Sequence, residues 1–269
     1  MTDELTIIKE MALKTIKSYE ADATQESFNL LCLGRVGSGK TFSMAKTCRK
    51  PLHVDSFDRG GTKGLRDLRA ADPGNYILET KYEQEDPFKP TMFEEWKTDM
   101  DKRLKTNYFA HFGTYMLDSS TWWSEAIMNS ILKKAGIAGQ APRYTHDYNP
   151  QKIIIKNYIQ EMLKLPCDFI LTGHLEADKD EVTGQITYRF STTGKGVIII
   201  PTLFDEIWVM DPKESSKGID RRVLLQSTGK YDCRSRIAKD NKLDTYEPAD
   251  IKQILKKAGA LKPDLPSLV

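Results

Sequence analysis

The sequence predicts an α/β fold: a mostly parallel central sheet with helices packed on both faces. Three observations predict it. Short, nearly unbroken apolar runs such as Phe28–Leu33 and Cys167–Thr172 read as strands buried on both sides. Segments with apolar residues at helical spacing alternate with these runs, the pattern of crossover units in a parallel sheet. The first run also leads through Gly34-Arg35-Val36-Gly37-Ser38-Gly39-Lys40-Thr41 into a helix beginning near Lys40, giving a strand–loop–helix unit.

A chain of 269 residues with a formal net charge of +2 allows one large domain with appendages. So balanced a charge does not announce a nucleic-acid binder in bulk, although local basic segments can still serve one. Cys32, Cys48, Cys167 and Cys233 show no C-x-x-C spacing and no paired histidines. Reduced thiols are therefore expected rather than a zinc site, with Cys32 and Cys167 as small hydrophobes in strands. No run reaches about 18 apolar residues, and the charged N-terminus lacks a signal-peptide core.

Taken in order, residues 1–24 carry a helix over 3–20, with Leu5, Ile8, Ala12 and Ile16 near one face. Covering the core and docking on a neighbouring subunit are both open to it. Residues 25–258 form the core. After the glycine-rich loop and its helix, Pro51–Asp55 reads as a second strand, ending in the polar turn Ser56–Gly61. A short helix at 63–70 and a strand at Tyr76–Leu78 follow. A helix around Phe93, Trp96, Met100 and Leu104 comes next, then a strand through Gly113–Asp118 that ends on an acidic residue. Residues 122–135 read as a helix and 136–150 as a loop with Pro142, Arg143, Tyr144, His146 and Tyr148. A helix resumes over 151–164, before the strand ending at Gly173-His174. A polar segment spans 175–196, strand material occupies 197–210, and a final helix covers 248–258. The tail 259–269, with two prolines, is expected to be loose.

The loop 34–41 fits G-x-x-x-x-G-K-[ST], a phosphate-binding loop in this strand–loop–helix context. Its glycines let successive N–H groups turn toward phosphate oxygens, and the helix N-terminus adds partial positive charge. Lys40 is expected at the β- and γ-phosphates, and the Thr41 hydroxyl at Mg²⁺. Asp118, at the end of a neighbouring buried strand, is the second Mg²⁺ candidate; a helix-capping aspartate is the alternative. No glutamate flanks Asp118 to activate water. Asp58, just past the second strand, is the candidate base, and Asp55 is the alternative. ATP and Mg²⁺ are thus the expected ligands.

Together these features resemble the RecA-type branch of the phosphate-loop ATPases, especially the phage RecA-like nucleotide-binding proteins of single-strand annealing recombination. The resemblance covers about residues 25–258. It rests on GRVGSGKT at 34–41, HVDSFDRGG at 53–61, TYMLDSST at 114–121, ILTGH at 170–174, TTGKG at 192–196, FDEIWVM at 204–210 and AKDN at 238–241. It implies a RecA-like fold and ATP hydrolysis with ATP at subunit interfaces, in a ring or filament. It also implies action on single-stranded DNA in recombination or replication, in the cytoplasm of a phage's bacterial host. Asp58 matches the residue that polarises water, where glutamate is commoner. His174 falls where a polar residue senses the γ-phosphate, a position RecA itself fills with glutamine; a hydrogen-bonded strand-end histidine is the alternative. Segments 136–150 and 175–196 match the two DNA-facing loops, with a solvated loop as the alternative for each. Lys239 matches the lysine of a Lys-x-Arg pair that reaches a neighbour's site, with Asn241 in the arginine's place; a plain surface lysine is the alternative.

Two other functions share the phosphate loop. A small-molecule or nucleotide kinase calls for an arginine-rich lid, for which 175–196 is the only candidate. A packaging or partner-moving motor usually brings an acidic pair at the strand end or a nuclease domain, and this sequence has neither.

Overall fold

The structure is a computed structural model and describes residues 2–20, 27–192, 196–216, 218–238 and 242–269, with side chains of 6–18 only in the first stretch. The chain opens with α1 (Thr2–Glu20), β1 (Asn29–Gly34), α2 (Lys40–Thr47), β2 (Leu52–Ser56), α3 (Arg66–Ala71) and β3 (Tyr76–Glu79). It continues through α4 (Met92–Lys105), β4 (Thr114–Asp118), α5 (Ser120–Lys134), α6 (Tyr144–Met162) and β5 (Asp168–Gly173). Next come β6 (Leu175–Lys179), β7 (Ile186–Phe190), α7 (Gly196–Thr202), β8 (Glu206–Met210), β9 (Lys213–Ser215) and β10 (Gly218–Asp220). The last elements are β11 (Arg222–Leu224), β12 (Arg234–Ser235), β13 (Tyr246–Pro248) and α8 (Ile251–Ala258).

Among the described residues, nine strands form one sheet in the order β13–β11–β8–β1–β5–β4–β2–β3, with β12 pairing β8. Every neighbouring pair from β8 to β3 is parallel. The edge beyond β8 is antiparallel. Because side chains alternate along a strand, β1 sends Leu31 and Leu33 into one core and Leu30 and Cys32 into the other. Both sets are buried, and so the run is apolar without alternation.

On the first face, α4, α5 and α6 cover the sheet with Phe93, Trp96, Met100, Trp123, Ile127, Ile155 and Ile159. Of the four residues expected to mark α4, Leu104 lies outside this core and is exposed. On the second face, Met44 and Ala45 of α2 pack with Ile251, Ile254 and Leu255 of α8. Asp250 caps α8 by accepting the Gln253 N–H at 2.9 Å, and Gly259 ends it at φ 76°.

Several expectations are corrected. Residues 136–150 are not all loop, since α6 starts at Tyr144. The Asp147 carboxylate accepts the Arg143 backbone N–H at 2.7 Å and grips its guanidinium at 2.9 and 3.0 Å. That clasp and the burial of Gln151, Ile155 and Ile159 outweigh the backbone bond lost at Pro150 inside the helix. Within 175–196, β6 and β7 form an antiparallel hairpin over residues 175–190. The start of 197–210 is helical, although Ile198-Ile199-Ile200 has strand propensity: Ile200 is buried while Ile198 and Ile199 face solvent. The tail 259–269 is docked rather than loose. Asp264 accepts the Lys50 N–H at 2.9 Å, Leu265 donates to Lys50 O at 2.8 Å and Leu268 to Gly74 O at 3.2 Å. In α1, residues 6–18 are exposed and do not cover the core.

Between the first-face helices and the sheet lies a buried polar knot. Asp55 accepts from His53 at 2.9 Å, Trp96 at 2.9 Å, Tyr115 at 2.8 Å and Arg103 at 2.7 Å. Burial raises the Asp55 carboxyl, but His53, Arg103 and Tyr115 prevail and hold it well below the usual carboxylate range. Its stabilising contribution is therefore complete above the unfolded value of about 3.9 and is lost as pH falls toward the folded value. Asp55→Asn should destabilise the protein by about 3–5 kcal/mol, because Arg103 loses its buried counter-charge. Urea unfolding at neutral and acidic pH checks this: the deficit should be large at neutral pH and shrink on acidification. A variant with the wild-type midpoint at neutral pH would refute it.

Candidate functional site

The parallel strands end along one edge, and the loops after β1, β2, β4 and β5 meet there. Gly37 and Gly39 adopt φ of 77° and 89°, left-handed conformations that side-chain-bearing residues resist. They turn the 34–41 segment back so that α2 begins at Lys40. The buried Lys40 ammonium donates to the Gly34 and Arg35 carbonyls at 3.0 and 3.1 Å. Burial lowers its pKa, while the nearby Cys32, Asp118 and Asp58 oppose that shift.

Asp118 ends β4 and is buried. Thr41 donates its hydroxyl to both carboxylate oxygens, at 3.1 and 3.0 Å, and Thr172 on β5 donates to one of them. Burial raises the Asp118 carboxyl; the two threonine hydrogen bonds oppose this and the Asp58 charge adds to it. Nearby, the Ser38, Ser119 and Ser120 hydroxyls are buried without a hydrogen-bond partner among the described residues. A threonine hydroxyl, a carboxylate and phosphate oxygens are hard donors of the kind Mg²⁺ takes, so the residues present fit a magnesium–nucleotide complex. Among the described residues no three His, Cys, Asp or Glu side chains group to hold a metal, so phosphate and water would complete the ion's shell.

Asp58 follows β2. Its N–H and that of Phe57 donate to the Asp118 carbonyl at 3.3 and 2.6 Å. Its own carbonyl accepts from Gly61 N at 2.7 Å and from the Ser56 hydroxyl at 3.3 Å. The turn then passes so close that a Cβ on Gly61 would lie 3.0 Å from Asp118 Oδ2 and 3.1 Å from Asp58 Cβ. The half-buried Asp58 carboxyl is raised by burial and by Glu83, against the pull of His174 and Lys40. Asp55, the alternative base, is consumed in its buried knot, which leaves Asp58 as the candidate.

His174 follows β5, with Nδ1 2.9 Å from the Thr121 hydroxyl. Burial and then Lys40 lower its pKa, while Asp58 raises it, and the imidazole is therefore neutral near pH 7. Lys40, Thr41, Asp118, Asp58 and His174 thus come together at one edge. Lys239 and Asn241 lie outside the described residues, as do residues 193–195 of the TTGKG segment.

Sequence reasoning missed Thr172, Thr121 and Glu83, which hold Asp118, His174 and the Asp58 turn from other loops and strands. It also missed Arg221, whose Nε would lie 2.7 Å from a Cβ on Gly39 and so lines the phosphate loop on its β8 side. Arg35, expected among the nucleotide-binding residues, donates its guanidinium to the Tyr188 hydroxyl of β7 at 2.9 Å.

The two segments matched to DNA-facing loops also meet. Pro142, Tyr144 and Tyr148 from the first and Glu176, Ser191 and Thr192 from the second line one open pocket of about 840 Å³.

Residues 27–237 match the family described as AAA domain. Among solved structures, one similar chain is a KaiC-like protein from the hyperthermophilic archaeon Pyrococcus horikoshii OT3. It shares 12% sequence identity, with a TM-score of 0.40, over 75% of this chain and 79% of that chain. No curated protein matches the sequence.

Asp118→Asn should weaken magnesium-dependent nucleotide binding by about 10- to 100-fold, the usual cost of disturbing a metal's outer contacts, and leave metal-free binding nearly intact. Nucleotide titrations with magnesium and with a chelator check this, and equal losses in both would refute it.

Proposed function

Because the chain belongs to the AAA domain family and carries a phosphate-loop sequence between a parallel strand and a helix, we propose that it binds ATP with magnesium and hydrolyses it to drive work on single-stranded DNA. The observation that carries the hydrolysis reading is the convergence of Lys40, Thr41, Asp118, Asp58 and His174 on one sheet edge. The loop N–H groups and Lys40 bind the polyphosphate and neutralise charge that grows on the γ-phosphoryl oxygens. Asp58 accepts a proton from a water as that water's oxygen bonds to the γ-phosphorus and the bond to the β–γ bridging oxygen breaks. Neutral His174 offers a hydrogen-bonding nitrogen to the γ-phosphate without adding charge. Thr41 and Asp118 would hold magnesium, which when bound would supply further neutralisation of the phosphate oxygens.

A self-contained monomeric site would serve a kinase equally well, but a kinase calls for an arginine-rich lid, and 175–196 holds one arginine, Arg189, within the β6–β7 hairpin. The DNA reading is supported by the pocket shared by the two loop segments and by Tyr144, 86% exposed at its rim, since exposed aromatic rings stack on unpaired bases. Arg143 contributes less than its sequence position implies, because Asp147 already neutralises it. Assembly with ATP between subunits, in a ring or filament, and a place in phage recombination or replication follow from the family resemblance. No helix among the described residues is long and apolar enough to cross a membrane.

Asp58→Asn should retain ATP and magnesium binding while slowing turnover by about 10²- to 10⁴-fold, and Lys40→Ala should abolish turnover in a folded protein. Phosphate release measured beside circular dichroism decides; undiminished turnover in either folded variant would exclude the site. The double variant Tyr144→Ala, Tyr148→Ala should lower affinity for single-stranded DNA without changing ATP affinity, and wild-type binding should weaken with salt as phosphate contacts release counterions. Wild-type protein that binds no single strands at low salt with ATP present would end the DNA reading.

A further inference from the structure

Glu83 lies in a single helical turn, Lys81–Gln84, directly after β3. Since β3 is the parallel neighbour of β2, the segments leaving these two strands run side by side at the loop-bearing edge. They are joined by a ring stack: Phe57 and Tyr82 lie 5.2 Å apart at 15°. Tyr82 is buried and its hydroxyl donates to Asp99 at 2.6 Å. The residue after each stacked ring carries a carboxylate, Asp58 after Phe57 and Glu83 after Tyr82.

The Glu83 carboxylate turns onto the Asp58 loop. Oε2 accepts the Gly60 N–H at 2.8 Å and Oε1 accepts the Thr62 hydroxyl at 3.4 Å. On its other side the same loop is pinned to the Asp118 carbonyl through Phe57 N and Asp58 N. The Asp58 turn is thus clamped between β4 and the post-β3 turn, with the Glu83 side chain hydrogen-bonded to both Gly60 and Thr62. Gly60 itself takes φ 79°, so without an acceptor its N–H leaves a flexible glycine pair, Gly60-Gly61, free to move the base.

From this geometry we infer that Glu83 is a positioning residue for hydrolysis, acting through Asp58 by fixing the Gly60–Thr62 turn. The inference rests on the hydrolysis reading above. Fixing a base within reach of its water is a matter of fractions of an ångström, and a displacement of about 1 Å can cost about 100-fold in rate.

The test is ATP turnover by the full chain carrying Glu83→Ala, Glu83→Gln, Asp58→Asn and the Glu83→Ala, Asp58→Asn pair, with melting temperature and ATP affinity measured alongside. Glu83→Ala should lower kcat by about 10- to 100-fold with KM nearly unchanged. Glu83→Gln keeps an amide oxygen for the Gly60 N–H and should restore most of the rate. In the Asp58→Asn background Glu83→Ala should cost nothing further, because positioning matters only while the base is present. Wild-type kcat in Glu83→Ala overturns the inference, as does additive loss in the double variant. A Glu83→Gln variant as slow as Asp58→Asn also overturns it, by making Glu83 itself the base, and that arm decides even where Glu83→Ala does not fold. Absence of turnover in the wild type would fell the hydrolysis reading and this inference together, whereas the other failures fell the inference alone.

Discussion

The site depends on one strand end, Asp118, used twice. Its carboxylate is held by hydroxyls from α2 and β5, and its carbonyl accepts the N–H groups of Phe57 and Asp58 beyond β2. This is possible only because β4 lies between β2 and β5, in a register that pairs Ser56 with Asp118 and Leu117 with Leu171. A slip of one residue would turn the Asp118 side chain to the opposite face. The packing on both faces opposes that slip, since it would exchange Tyr115 and Leu117 with Met116 between two cores of different shape. The core thus sets the distance between base and phosphate loop.

What could be read from the sequence divides along the same line. The phosphate loop was legible because its chemistry is local: the glycines, Lys40 and Thr41 are consecutive, and strand and helix flank them. Asp118 was legible as a carboxylate closing a buried run. Asp58 could be ranked ahead of Asp55 but not cleanly separated from it, because both stand near the end of one apolar run and the sequence alone does not show that Asp55 is buried within β2. The knot that claims Asp55 draws on Trp96, Arg103 and Tyr115, each about 40 to 60 residues away in the chain. Glu83 and Thr172 were invisible for the same reason, since their meaning lies in strand order.

The misread elements share a different cause. Pro150, the isoleucine run at 198–200 and the prolines of the tail all carry strong local signals that tertiary contacts override. A side-chain clasp at Arg143–Asp147 starts α6 earlier than the proline suggests, and burial of one isoleucine in three suits a helix better than a strand. The tail is held because Asp264 meets the backbone of Lys50, a contact 214 residues apart in the chain.

The two sides of the site are held very differently. Below the phosphate loop, the sheet and the Asp55 knot are buried, and removing one partner there leaves a charge stranded at a cost of several kcal/mol, about 3–5 by analogy with other buried pairs. Beside the loop, the β6–β7 hairpin is fixed at its root, where Ser191 N donates to His174 O at 2.9 Å. Farther out it touches the loop through Arg35, whose guanidinium lies 5.1 Å from the Tyr188 ring and donates to its hydroxyl. That contact is exposed, and a typical hydrogen bond adds only about 1 kcal/mol. A change in the loop's conformation therefore meets little resistance from the hairpin and much from the sheet. The same asymmetry places the exposed Tyr144 and the hairpin on the yielding side, and the carboxylates that need fixed distances on the unyielding one.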